Sequence, residues 1–139
     1  MTRLAPESDL ARTHVQDAMH RGLVTCPPTT SLRVVARILA AHRIHAVVVA
    51  DDHAHEQAGV WGVVSDLEVV TRLATAAAEE TAGSVAELPP CFVAPDDTLA
   101  HAVQLMAEHG VAHLLVADPA SGRPVGVLST LDVAEALSG

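Results

Sequence analysis

Apolar positions along the chain follow two alternating periodicities, and the whole alternation occurs twice. Leu32, Val35, Ala36 and Leu39 recur at the three- and four-residue spacing that marks one face of a helix, and Leu99, Ala102, Val103 and Met106 repeat it. Each helix follows a proline-led polar start, Pro28-Thr29-Thr30-Ser31-Leu32 in one case and Pro95-Asp96-Asp97-Thr98-Leu99 in the other. The helices end in similar segments, Ala41-His42-Arg43-Ile44 and Glu108-His109-Gly110-Val111. Continuous apolar runs then predict buried strands, Ala46 to Ala50 before Asp51 and Leu114 to Ala117 before Asp118. After a polar loop comes a second strand, Val60 to Val64 or Val125 to Leu128, each containing a glycine and running into a helix at Ser65 or Ser129. The helix from Ser65 is expected to continue through Ala74–Ala78 and stop at Gly83, acting as the glycine just past its end. Short opening helices are expected at Val15–Met19 and Val85–Leu88.

The chain therefore reads as an internal repeat of strand–helix–strand–strand–helix, an α/β architecture. Residues 13–80 form the first copy and 81–139 the second, while residues 1–12 are a lead expected to fray. Two such half-sized copies are expected to pack face to face around a shared core as one pseudo-two-fold module.

Composition narrows the range of partners. At 139 residues and 50% hydrophobic, the chain can bury a core without metal or disulfide staples. Its 8 cations, all arginine and scattered, against 17 acids give a net charge of -9, which argues against a nucleic-acid partner. Trp61 and Phe92 are the only aromatics, which excludes a base-stacking platform. The longest near-continuous apolar stretch, Ile44 to Ala50, is strand-sized, so no membrane span is expected. Met1 to Leu10 lacks the apolar stretch of a secretion signal. Cys26 and Cys91 stand far apart with no metal spacing, which fits a reduced cytoplasmic protein; a single disulfide stays open. The alanine and valine bias points to a GC-rich bacterial genome.

Gly62-Val63-Val64-Ser65-Asp66-Leu67-Glu68 and Gly126-Val127-Leu128-Ser129-Thr130-Leu131-Asp132 resemble the Gly-h-x-Thr/Ser-x-x-Asp signature of cystathionine-β-synthase (CBS) domains. Val15-Gln16-Asp17-Ala18-Met19 and Val24-Thr25-Cys26-Pro27 resemble the family's opening helix and first strand, and the resemblance spans about residues 13–137. The chain departs from the family where a common middle-strand proline is replaced by Val48 and Leu115, and where Glu68 stands for the first signature's aspartate.

A serine at a helix start adds a donor to free backbone N–H groups and favours an anion, while a carboxylate three residues on can accept both hydroxyls of a ribose diol. The resemblance accordingly places Ser129, Thr130 and Asp132 on the ribose and phosphate of an adenosine-type ligand, with Ser65 and Glu68 as weaker counterparts. The same residues also spell a capping box. For Ser65 and Glu68 the cap reading is preferred, because glutamate is the favoured capping-box acid; for Ser129 and Asp132 both readings stand. In the slots where the family often places phosphate-facing basic residues, this chain has His45 and His113, which would bind phosphate in a pH-dependent way or simply pack. Arg43 and Arg123 are alternative phosphate partners, or solvated surface residues. By analogy with the family, adenine is expected between the strand at Phe92-Val93-Ala94 and the strand from Val111 to Val116, though Phe92 serves equally as core.

Asp51-Asp52-His53-Ala54-His55 has metal-ligand chemistry, but a solvated loop is the simpler reading and no metal is assigned. No nucleophile or glycine-rich phosphate motif is present, so no enzyme is expected and no cofactor is required. The resemblance implies a stand-alone regulatory module that binds AMP, ADP, ATP or another adenosyl compound, forms a homodimer and signals to a separate effector protein, since the chain leaves no room for an effector domain. A structural or dimerisation module without nucleotide is the alternative.

Overall fold

The computed structural model describes residues 6–51, 59–75, 79–86 and 91–138. In chain order the elements are α1 (Pro6–Arg12), α2 (Val15–Ala18), β1 (His20–Arg21), β2 (Thr25–Cys26), α3 (Leu32–His42), β3 (Ala46–Ala50), β4 (Val60–Ser65), α4 (Asp66–Ala74), α5 (Ala82–Val85), β5 (Phe92–Val93), α6 (Leu99–His109), β6 (His113–Ala117), β7 (Pro124–Ser129) and α7 (Thr130–Ser138). They divide into two compact units, Leu23–Pro90 and Met1–Gly22 with Cys91–Gly139.

In the Leu23–Pro90 unit the strand order is β2-β3-β4, with β2 parallel and β4 antiparallel to the valine-rich β3. The apolar stripe of α3, Leu32, Val35 and Leu39, packs with Val47, Val49 and Val64 in one core cluster. The second unit has the order β1-β7-β6-β5, and Leu99, Ala102 and Met106 of α6 pack with Leu114, Val116 and Leu128. Both sheets break register at equivalent points, between Val49 and Ala50 and between Val116 and Ala117. Each unit contains one cluster of buried apolar residues.

The units do not coincide with the sequence repeats, because each takes its short opening helix from the other repeat. Val15 N–H donates to the Asp97 carbonyl (2.8 Å), Gln16 N–H to Pro95 (2.9 Å), and Leu99 N–H returns to Thr13 (2.8 Å). The mirror set joins Ala82 N–H to Thr30 (2.7 Å), Gly83 N–H to Pro28 (2.8 Å) and Leu32 N–H to Glu80 (3.3 Å). These bonds satisfy the otherwise orphaned donors at the start of four helices.

Three sequence expectations are corrected here. Residues 6–12 of the lead are helical, and Leu10 packs against the core with α1 lying on α6 and α7. The helix from Ser65 ends at Ala74, where the Thr75 N–H bonds back to Arg72 and Leu73. Gly83 lies inside α5, where a Cβ would stand 2.7 Å from that of Pro28; it is glycine for close approach, not for a helix stop. The opening helix spans Ala82–Val85, and residues 87 and 88 of the expected Val85–Leu88 lie outside the described residues.

The equivalent helices α3 and α6 are capped alike at the start, by Ser31 Oγ accepting from Val34 N–H (3.3 Å) and Thr98 Oγ1 from His101 N–H (3.1 Å). Their ends differ: Gly110 turns left-handed at φ 64°, and Arg43 does so at φ 53° despite its side chain. A left-handed residue with a Cβ costs about 1–2 kcal/mol, while glycine adds about 0.4–1 kcal/mol of unfolded-state entropy. Arg43→Gly is therefore expected to stabilise the chain by about 0.5–1 kcal/mol, read as a rise in melting temperature. A fall would mean that the Arg43 side chain contributes more than a turn.

Candidate functional site

The second unit's sheet positions the signature residues. Register sets Phe92 beside Leu115, Leu115 beside Val127, and Val127 beside His20. Residues directly opposite share a sheet face, so these four form one row, with His113 beside Ser129 in the next. Leu114, Val116, Leu128 and Val93 point the other way, into the core. Phe92, His113 and Ser129 are thus brought together, whereas Val93, 5% exposed, is a core residue. Nor can a ring lie between β5 and β6: they are hydrogen-bonded neighbours, with Leu115 N–H on the Cys91 carbonyl at 2.9 Å. Adjacent strands stand only about 4.8 Å apart, so a base could stack only on the face that carries Phe92.

At the β7–α7 elbow, Asp132 N–H donates to Ser129 Oγ (3.1 Å), and Ser129 N–H donates to Asp132 Oδ2 (2.8 Å). The other carboxylate oxygen, Oδ1, lies 2.7 Å from His20 Nε2. The Asp132 side chain is 2% exposed and that of His20 78%. Among the described residues Asp132 is the buried charged one. Burying a lone carboxylate is costly, and here an amide donor and an imidazole offset that cost. Thr130 is exposed, and its N–H closes the elbow on the Ala112 carbonyl at 3.0 Å.

The first repeat departs from this arrangement. Ser65 Oγ accepts from Glu68 N–H (3.3 Å), but the Glu68 carboxylate leans to Arg72, with Oε2 3.6 Å from Nε. The two caps differ in kind: Ser65 caps α4 without a reciprocal bond from Glu68, whereas Ser129 and Asp132 form the full box. The cause is local, since Arg72 offers Glu68 an i,i+4 partner, whereas the equivalent residue of α7 is Ala136. His45 lies 2.9 Å through Nδ1 from Asp66 Oδ2 at the start of α4, both of them well exposed. Ala46, not His45, is opposite Ser65. Arg43 and Arg123 are exposed, and the His53/His55 loop lies outside the described residues. Neither cysteine is in a disulfide, and burial pushes the Cys26 thiol up, opposed by a hydrogen bond with Thr30.

The family model of the CBS domain matches residues 15–75 and again 82–139. The chain belongs to the CBS domain family. Among solved structures, the CBS domain pair of protein MJ0100, in complex with 5′-methylthioadenosine and S-adenosyl-L-methionine, is 20% identical, with a TM-score of 0.78 over 91% of this chain and 97% of that one. The CBS-domain protein ATU1752 of Agrobacterium tumefaciens is 26% identical, with a TM-score of 0.77 over 89% of this chain and 98% of that one. CBSX2, in complex with AMP, is 24% identical, with a TM-score of 0.68 over 89% of this chain and 95% of that one. No curated protein matches the chain. In this CBS pair, no helix among the described residues is long and apolar enough to cross a membrane.

Sequence reasoning missed His20. It lies in a two-residue strand, too short to carry any periodicity. The one available signal was Gly126, where an added Cβ would overlap the His20 carbonyl oxygen.

Proposed function

We propose that this CBS pair is a regulatory module that binds an adenosine-containing ligand at the β7–α7 elbow, on the sheet face of the second unit that carries Phe92, His113 and Ser129, and passes the bound state to a separate effector protein. The observation that carries this reading is a buried carboxylate, Asp132, at a strand–helix elbow whose face also presents Ser129, His113 and Phe92. In this reading Asp132 accepts the ribose hydroxyls, Ser129 and Thr130 meet phosphate at the start of α7, and Phe92 covers the base. The adenosyl complexes of two CBS structures of the same fold support the ligand class. AMP, ADP, ATP, S-adenosylmethionine, NAD and adenosine all carry the required group. A thermal-shift panel of these compounds tests the reading: at 100 times its dissociation constant, a native-state ligand adds about 2.7 kcal/mol. No shift with any of them favours the alternative, a structural module in which the reciprocal Ser129–Asp132 cap is the whole role of both residues.

Glu68 is 47% exposed and engaged with Arg72, so one ligand per chain is expected by titration calorimetry; two equal sites would contradict this.

The module is further proposed to act as a homodimer through α4 and α7. Leu67 is 70% exposed, Val70 63% and Leu131 50%, whereas Leu73 and Leu137 turn inward onto the cores. Leu67→Glu combined with Leu131→Glu is expected to give a monomeric mass by light scattering while the wild type gives a dimer. A monomeric wild type at micromolar concentration removes the claim.

A further inference from the structure

We propose that the β7–α7 elbow selects adenosyl ligands by charge, taking a nucleoside with an uncharged 5′ group in preference to ATP. This rests on the reading of Asp132 as the ribose acceptor. A helix start attracts phosphate through backbone N–H groups that are free to point at it. At α7 three of them are already engaged: Ser129 N–H on Asp132 Oδ2 (2.8 Å), Thr130 N–H on the Ala112 carbonyl (3.0 Å) and Asp132 N–H on Ser129 Oγ (3.1 Å). What a phosphate meets there is the hydroxyls of Ser129 and Thr130, neutral donors with no charge to set against its own.

The charge within the first turn of α7 is negative. Asp132 stands there with its side chain 2% exposed, so the protein's own carboxylate already matches the positive end of the helix. The basic side chain that reaches the elbow, His20, is taken up with Asp132 Oδ1 at 2.7 Å. His113, beside Ser129, is an imidazole without the permanent charge of an arginine. The chain has no lysine, and the described arginines of this unit lie elsewhere. Arg12 ends α1, which lies on α6 and α7, the helices packed against the opposite face of the sheet. Arg21 is opposite Gly126, in the row of Val116 and Val93 on that same opposite face. Arg123 precedes β7, whose other end, Ser129, is about 17 Å away along the strand.

Adenosine and ATP are the probes, compared by titration calorimetry at pH 7.5 with divalent cations chelated, at low and at high salt. At low salt adenosine is expected to bind about tenfold more tightly than ATP, the effect of about two unit charges held roughly 6 Å from Asp132 in water. The gap is expected to narrow as salt screens the repulsion, with adenosine affinity itself unmoved. Thr130→Arg, which sets a cation at the start of α7, is expected to narrow it at low salt as well. ATP binding as tightly as adenosine or more tightly, with an affinity that falls as salt rises, would reveal a cationic phosphate site and overturn the proposal. A gap that neither salt nor Thr130→Arg narrows would assign the preference to shape instead of charge and overturn it too. Both outcomes leave the adenosine reading intact. Failure of the folded wild type to bind either compound overturns both.

Discussion

Asp132→Asn is expected to weaken binding of an adenosine ligand by about 10- to 150-fold at pH 7.5, with the chain still folded. The amide keeps the size of the carboxylate, and its oxygen can still accept from Ser129 N–H, now at 2.8 Å from Oδ2. What it removes is the ionised acceptor for the second hydroxyl, and hydrogen bonds to a charged group are worth about 1.5–3 kcal/mol. Loss of the His20 contact works in the opposite direction, so the measured defect is the net of the two. If Asp132 is only a cap, the substitution should cost up to about 1 kcal/mol of stability and leave affinity unchanged. Glu68→Gln is the matched control, expected to leave binding alone because the Glu68 carboxylate faces Arg72. Equal binding defects in both variants would make the first repeat competent. No defect in either would favour the structural module.

Gly126→Ala is expected to destabilise the chain by about 1–3 kcal/mol, the range for forcing extra volume into a packed site, and to lower the melting temperature by several degrees. The added methyl would overlap the His20 carbonyl oxygen and stand 3.3 Å from its carbon and 3.4 Å from Arg21 Cα. All three are backbone atoms, so no side-chain rotation relieves the clash. Relief requires β1 to leave β7, which also withdraws His20 from Asp132. Gly122→Ala is the comparison: its Cβ meets nothing within 4 Å, and only the positive φ of 71° opposes it. A Gly126→Ala chain melting within a degree of the wild type would show that the close approach is not maintained in solution.

The residues show why some features could be read from sequence and others could not. Helices α3 and α6 and the strand pairs were visible because each buries a continuous apolar stripe or run, whose period survives any tertiary context. Phe92, His113 and Ser129 were singled out by the resemblance alone, and the strand register sets them on one face. Val93 was misplaced because alternation fixes that adjacent residues face opposite ways but not which one faces the core. Both serines cap their helices, but propensity, which ranks glutamate above aspartate in a capping box, could not show that only Asp132 closes the reciprocal bond; that was decided by whether an arginine stood one turn further on. His20 and the exchange of opening helices lie in segments of two to four residues, too short for any pattern to register.

That exchange bears on how such a chain can be divided or inherited. A fragment cut between residues 80 and 81 would retain a helix with no cradle and a cradle with no helix, in both halves at once. Apart from the Leu32–Glu80 bond, which lies within the first half, each half carries one partner of every backbone bond in the mirror sets, so two identical halves could exchange their helices as separate molecules. A one-repeat ancestor would then have been an obligate pair, and tandem duplication would have converted an encounter between two chains into a fold within one.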